Sequence, residues 1–384
     1  MTVAAVPVQT PSPTVAWIRQ FGFGTPFRDA ALGISVWGPN VYVAGSTEGA
    51  LSGQTALGGS DAFLRKYDKS GNEVWTRQFG TNLGDAAVKV YADSSGVYVA
   101  GEQNETEDRF GVTNQGFLSR YTLDGSMVWT RSFGDTPLTE VTGVTGDRTG
   151  VYVVGSADVC GGAWCRFVHR DAYIIKYDSN STQLSARKFG LTSGATGVSS
   201  DPTGAYVSGF VRGTLPGQSL NDSSYVSGFV RKFDISGNEI WTRQFSISAY
   251  TQAASISAGS SAVFVAVWTF DKGLFLRSYT RDGNLAWSVQ TGYGGSVFAS
   301  PGGVYVVGPH CVQKYDFKGN FQWTLCLGTS GFDFGVTTNQ VSYVNGAATN
   351  NSADIYLAGD IQAAFPGESV YGFMDAFVVK LSNS

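Results

Sequence analysis

Apolar and polar positions alternate along this chain in many short runs. VYVAG stands at Val41–Gly45 and Val97–Gly101, and VYVVG at Val151–Gly155 and Val304–Gly308. FLRKYD (Phe63–Asp68) and the Trp-containing segments alternate in the same way. A period of two is that of a half-buried β-strand. The runs are separated by DSSG, DRTG, DPTG and SPGG, and by D-x-x-G-N sequences such as Asp68–Asn72. Asp bonds to its own backbone and Gly supplies positive φ, so these are hairpin turns. The pattern predicts units of four strands: a small-residue strand such as Ala31–Val36, a VYVAG strand, a DAFLRKY-like strand and a Trp strand.

The units repeat. Tyr67–Phe79 reads YDKSGNEVWTRQF and Phe233–Phe245 reads FDISGNEIWTRQF, with weaker copies beginning at Tyr121, Tyr279 and Tyr315. The Trp strands fall at Trp17, Trp75, Trp129, Ser185 (the one without Trp), Trp241, Trp287 and Trp323. The N-terminal VAWIRQFG (Val15–Gly22) carries only the second half of the repeat, and the C-terminal DAFVVKLSNS only the first. A repeat split between the two ends of a chain closes a ring. The expectation is therefore an all-β, seven-bladed β-propeller of four-stranded antiparallel blades, with strand 15–22 completing the last blade. Residues 1–14 read as an extended lead-in and 15–384 as a single domain.

Composition agrees. The chain has 384 residues, of which 50 are Gly and 11 Pro, with 15% charged and 14% aromatic, as many short strands and turns require. A net charge of −4 leaves no basic footprint, so nucleic acid is set aside as a partner. No stretch approaches the ~20 apolar residues of a membrane helix, so no direct membrane insertion is expected. The start, MTVAAVPVQTPSPTVAW, lacks a basic n-region and a long apolar core. The chain thus reads either as cytosolic or as a mature exported protein without its leader.

The unit D-A-F-L-R-K-Y-D-x-S-G-N-x-x-W, following D-S-S-G-V-Y-V-A-G, resembles the bacterial β-propeller repeat (SBBP type) of secreted and surface proteins. The resemblance covers nearly the whole chain. It is most specific in the first three blades and at Asp375–Lys380, and fades in the fifth and sixth. The spacing from Asp68 to Trp75, and from Asp316 to Trp323, is similar to the tryptophan-docking motif of quinoprotein propellers. It implies packing of Trp between blades; it does not imply a quinone cofactor. The resemblance implies no defined activity.

Function is expected where the repeats differ. The connections between second and third strands lie on one face. They are long in blades 1 (Gly45–Asp61), 2 (Gly101–Gly116), 3 (Gly155–Asp171), 4 (Gly209–Gly228) and 7 (Gly359–Asp375), and short in blades 5 and 6. Aromatics there are the candidate ligand-binding residues: Phe110, Trp164, Phe167, Phe365 and Tyr371, with Trp268 and Phe270 beside the short loops. The alternative is that they pack the loops together. Asp29, Asp85 and Glu140 precede innermost strands, where they would line the channel mouth or cap turns. Glu102, Glu105, Glu107 and Asp108 read as a solvated acidic loop. Arg19, Arg77, Arg131, Arg187 and Arg243, and the basic residues ending the third strands, read as inter-blade packing.

The four Cys fall into two local pairs. Cys160 and Cys165 enclose GGAW, and Cys311 and Cys326 face each other across the DFKGN turn. Two disulfides and an extracellular, periplasmic or cell-surface location follow, whereas free thiols would mean the cytosol. Cys160, Cys165 and His169 lack a fourth ligand, so no metal site is expected. There is no G-x-S-x-G, P-loop or H-E-x-x-H, and no cofactor is expected. The sequence points to a non-catalytic propeller that binds a protein or glycan on its long-loop face. The alternatives are a carboxylate-based glycosidase or lyase, or a structural module of a larger assembly.

Overall fold

The computed structural model describes residues 13–24, 26–108, 111–134, 138–161, 166–190, 192–220, 225–292, 294–326, 342–350 and 354–382; at 105–108, 111–112, 160–161, 166–168 and 342 it describes backbone alone. The lead-in 1–14 lies almost wholly outside this set. The described strands form seven four-stranded sheets, all antiparallel, and no helix occurs among the described residues. No helix there is long and apolar enough to cross a membrane.

Six blades use consecutive strands, as in blade 1: Asp29–Trp37, Asn40–Thr47, Asp61–Tyr67 and Glu73–Phe79. The seventh takes Ser342–Thr349, Ile355–Ile361 and Asp375–Ser382 from the C-terminal end and Thr14–Phe21 from the N-terminal end. Trp17 pairs with Lys380 and Phe21 with Ala376. The ring is thus closed as the split repeat predicts, and the innermost strands of blades 7 and 1 are in contact. The class is a seven-bladed β-propeller.

The core is a set of apolar layers between blades. One layer joins Phe63, Val41 and Val43 of the first blade to Phe21, Tyr356, Ala358 and Val378 of the last. Second strands are buried on both faces, as at Ile355–Ile361. Each fully buried CH₂ contributes about 0.8 kcal/mol, so the layers dominate the stability of the ring.

Turn chemistry locks every blade but the seventh to the one before it. Asp68 accepts the N–H groups of Ser70 and Asn72, and Gly71 takes φ 81°. That turn slides under Trp17 of the preceding blade, so close that a Cβ on Gly71 would lie 2.7 Å from the indole. Gly125 meets Trp75, Gly283 meets Trp241 and Gly319 meets Trp287 in the same way. Trp17 Nε1 donates to Lys69 O (3.1 Å) and Arg19 Nε to Gly71 O (2.7 Å). Arg77 and Arg243 repeat the second bond on Gly125 and Gly283, both at 2.8 Å. Lys66 stands 5.6 Å above the ring of buried Tyr42 and donates to Leu123 O of the next blade. The repeated basic residues are therefore inter-blade fasteners.

In blades 2 and 3 the connections expected as loops are hairpins that extend the blade upward. Gly96–Asp108 pairs with Gly111–Tyr121, and Gly150–Gly161 with Arg166–Tyr177. Their Thr and Val residues suit a strand, and bulges at Asn104/Thr106 and Val159/Cys160 absorb the register. Cys311 pairs with Cys326 in the outer hairpin of blade 6, at a Cα separation of 4.0 Å, and the two form a disulfide. Cys165 and the side chain of Cys160 lie outside the described residues.

Candidate binding face

Three of the long connections share a fold that repeats in sequence. LSGQ (Leu51–Gln54), LPGQ (Leu215–Gln218) and FPGE (Phe365–Glu368) occupy blades 1, 4 and 7. Each is clipped to the Gln of a W-x-R-Q-F strand. In blade 1 Leu51 N donates to Gln78 Oε1 (2.9 Å), Gln78 N to Gln54 Oε1 (3.0 Å) and Gln78 Nε2 to Gly49 O (2.9 Å). Gln244 holds Leu215, Gln218 and Gly213 identically, and Gln20 holds Phe365, Glu368 and Ala363. The Gln amide also donates to Asp61, Ser227 or Asp375 at the start of the third strand. These connections are shaped, hydrogen-bonded platforms.

This clip corrects one expectation. Phe365 is 2% exposed, packs on Phe377 (5.2 Å, edge-on) and is no ligand-binding residue. It occupies the anchor position of Leu51 and Leu215, which are equally buried. Aligning the three G-Q/E motifs would have revealed this from sequence.

The other aromatics divide into those the face presents and those not described. Phe270 is 80% exposed on the tight turn of blade 5. Trp268 is more than one-third exposed and packs edge-on against Tyr250 at 5.4 Å. Tyr371 is exposed on the clipped loop of blade 7, beside exposed Phe373. Tyr225 and Phe373, two further aromatics of the long connections, match in position. Each stands two residues before a third strand, at Ser227 and Asp375. Each also carries a guanidinium over its ring, Arg212 at 4.5 Å and Arg28 at 5.1 Å. Phe110 and Trp164, and the side chain of Phe167, lie outside the described residues.

The channel carboxylates separate. Asp29 and Asp85 are buried and cap turns: Asp29 Oδ2 accepts Phe23 N–H (2.9 Å), and Asp85 accepts the N–H (2.6 Å) and hydroxyl of Thr81. Burial drives Asp29 up to about 6, against bonds from Thr47 and Phe23 that lower it. Asp85 is likewise raised by burial. Both therefore take the capping alternative and neither lines the mouth. Glu140 does line the channel, held by Arg170 (3.0 Å) and the Ser156 hydroxyl (2.9 Å). Glu102 is half-buried beside it, accepts Val141 N–H, and is raised by desolvation. Among the described residues no group of His, Cys, Asp and Glu is placed to hold a metal ion.

No family model matches the chain, and no curated protein does. The likeness to bacterial propeller repeats therefore rests on the residues quoted above. Solved structures of similar shape exist. The Pan2 WD40 domain of Neurospora crassa superposes with TM-score 0.53 at 9% identity, over 93% of this chain and 97% of that one. The polysaccharide lyase Uly1 gives 0.50 at 10% identity, over 92% and 90%. Saccharomyces cerevisiae Sqt1 gives 0.48 at 10% identity, over 98% and 99%. At such identities the first two support the propeller fold and nothing finer.

Proposed function

We propose that this protein is a non-catalytic binding or scaffold propeller that recognises a protein or glycan partner through its long-loop face. The observation that carries this reading is the set of exposed aromatics held by rigid elements: Phe270 and Trp268 in blade 5, Tyr225 in blade 4, and Tyr371 and Phe373 in blade 7. Clipped loops hold their side of the contact in place before binding, which reduces the ordering cost of association. Aromatics with a polar or cationic neighbour suit both sugar stacking and protein anchoring. The disulfide of blade 6 supports export, and the resemblance to secreted propeller repeats points the same way.

Two variants test the reading: Trp268→Ala with Phe270→Ala, and Tyr225→Ala with Phe373→Ala. Both should keep the wild-type melting temperature within a few degrees and lose at least tenfold in affinity for a partner found by glycan array or by pull-down from the cell envelope. An empty array and an empty pull-down, or unchanged affinity in both variants, would defeat it. The carboxylate-enzyme alternative retains only Glu140 of its three proposed residues facing the channel, one carboxylate where glycoside hydrolysis uses two.

A further inference from the structure

The innermost strands of all the blades surround a central channel of about 440 Å³. Their sequences align at a β-bulge, which interrupts pairing in every blade but the sixth. It falls at Ala31/Gly33, Ala87/Lys89, Val141/Gly143, Ala195/Gly197, Ala253/Ser255 and Val344/Gly346. The residue after the bulge is Gly in four blades and Ser in one. Small residues are needed there because neighbouring blades approach closely: a Cβ on Gly33 would lie 2.9 Å from Lys89 Cα. Blade 2 places a lysine at this position.

Lys89 differs from Lys176 and Lys232 of the fastening set, and from Lys66 in that its side chain lines the channel. Lys176 and Lys232 each reach a carboxylate, Asp147 and Asp201, at 3.3 and 3.2 Å. Lys89 Nζ donates to one carbonyl, Leu32 O, at 3.2 Å, and lines the channel. No charged neighbour offsets the burial that lowers its pKa. An ammonium carries three N–H donors, so two remain for the channel. Glu140, the other charged group of the lining, is already paired with Arg170. Three blades on, in blade 5, Ser255 also lines the channel, and its Oγ accepts Val297 N–H (3.2 Å), which leaves its own proton to donate. Thr142, by contrast, already donates to a carbonyl, Ala195 O.

We infer that the channel is an oxyanion site, in which Lys89 and the Ser255 hydroxyl receive a carboxylate or phosphate group small enough to enter between the seven inner strands. An uncompensated cation in a partly desolvated channel gains most from an anion that replaces its lost water. The site is independent of the aromatic face and stands or falls separately from it.

Calorimetric titration with inorganic phosphate and with acetate, at constant ionic strength in chloride, tests the inference. Saturable binding of at least one anion is expected, and the stronger of the two identifies the ligand class. Lys89→Gln should weaken it at least tenfold, and Lys89→Arg should retain most of it. Should Lys89→Gln not fold, wild-type protein labelled by reductive ¹³C-methylation provides a second readout. The Lys89 resonance, assigned by its absence from Lys89→Arg, should then shift with the titrated anion. Heat indistinguishable from that of chloride, equal binding by a folded Lys89→Gln, or an unmoved resonance would overturn the inference.

Discussion

The junction between blades 7 and 1 and the junction between blades 6 and 7 use the same outer Trp in different settings. At the first, Trp17 sits on the turn of blade 1, its indole N–H bonded to Lys69 O and Arg19 bonded to Gly71 O. At the second, Trp323 is buried but its Nε1 has no partner among the described residues, and neither does the hydroxyl of Tyr305 beneath it. Lys314 is lowered by burial with no charged group to offset it. Leu325 stands where the other strand carries Arg19. The cause is the closure itself. Strands Asp375–Ser382 and Thr14–Phe21 of blade 7 pair side by side, and no D-x-x-G-N turn joins them. The ring gains a sealed edge and gives up one docking turn. The Trp75 Nε1 is also unpaired although a docking turn lies over its ring, and Leu123 O of that turn accepts Lys66.

The blade 6 disulfide falls beside the weaker junction, which yields the largest predicted effect. It closes a loop of sequence separation 15, for which chain entropy gives about 3 kcal/mol. Cys311→Ser with Cys326→Ser should lower unfolding stability by that amount in urea titrations, and reductant should do the same to wild type. An unchanged midpoint would mean that the closure needs no such support.

The other end of the stronger junction is predicted to be pH-sensitive. Asp29 rises from 3.8 to about 6 through burial, and its Oδ1 has no partner among the described residues. A group raised in the folded state favours its protonated form. Its contribution is complete below about pH 3.8 and is lost as pH rises through 6. Relative to Asp29→Asn, wild type should lose at most about 3 kcal/mol between those limits. Parallel stability–pH curves for the two proteins would refute this. Ser193 serves the equivalent place in blade 4 with a hydroxyl, donating to Phe189 O and accepting Ala172 N–H, and carries no such dependence.

Docking of the turn beneath Trp17 should be measurable at Gly71. An Ala there combines positive φ with a Cβ 2.7 Å from the indole, a loss of about 2–3 kcal/mol. Gly53 has similar φ and nothing within 4 Å, so Gly53→Ala isolates the backbone share, about 1–2 kcal/mol. Equal losses at the two sites would show that contact with Trp17 contributes nothing. The indole N–H supplies the next comparison: Trp17→Phe should cost about 1 kcal/mol more than Trp323→Phe, one hydrogen bond against none.

How much of this was legible in sequence depended on whether the determining residues lay within one repeat. Blade number, closure by Val15–Gly22, the Cys311–Cys326 register and the fastening role of Arg19 and Lys66 follow from residues that recur at fixed spacing. Phe365 was misread because the group that buries its loop, Gln20, lies 345 residues away. The hairpins of blades 2 and 3 were read as loops because polar residues such as Gln103 and Asn104 continue a ladder whose partners are equally polar. Lys89 passed unnoticed because its meaning comes only from alignment with Gly33, Gly143, Gly197 and Gly346.

The smallest predicted effect concerns a turn that lacks the usual residue. In blade 3 the sequence Asp178–Thr182 folds as the other docking turns do. Asp178 accepts the N–H groups of Asn180 and Thr182, and Trp129 Nε1 donates to Ser179 O at 2.9 Å. Yet Ser181 occupies the glycine position, at φ 70° and almost fully buried. A left-handed conformation costs a non-glycine residue about 1–2 kcal/mol, and at Gly71, Gly125 and Gly283 a Cβ would come under 3 Å from an indole. Glycine has a larger unfolded-state entropy, which offsets part of the gain. Ser181→Gly should therefore stabilise the protein by about 0.5–1 kcal/mol. If it destabilises, the Ser181 side chain contributes packing against Trp129 that outweighs the strain, and blade 3 has become a third kind of junction in which a side chain replaces the bare turn.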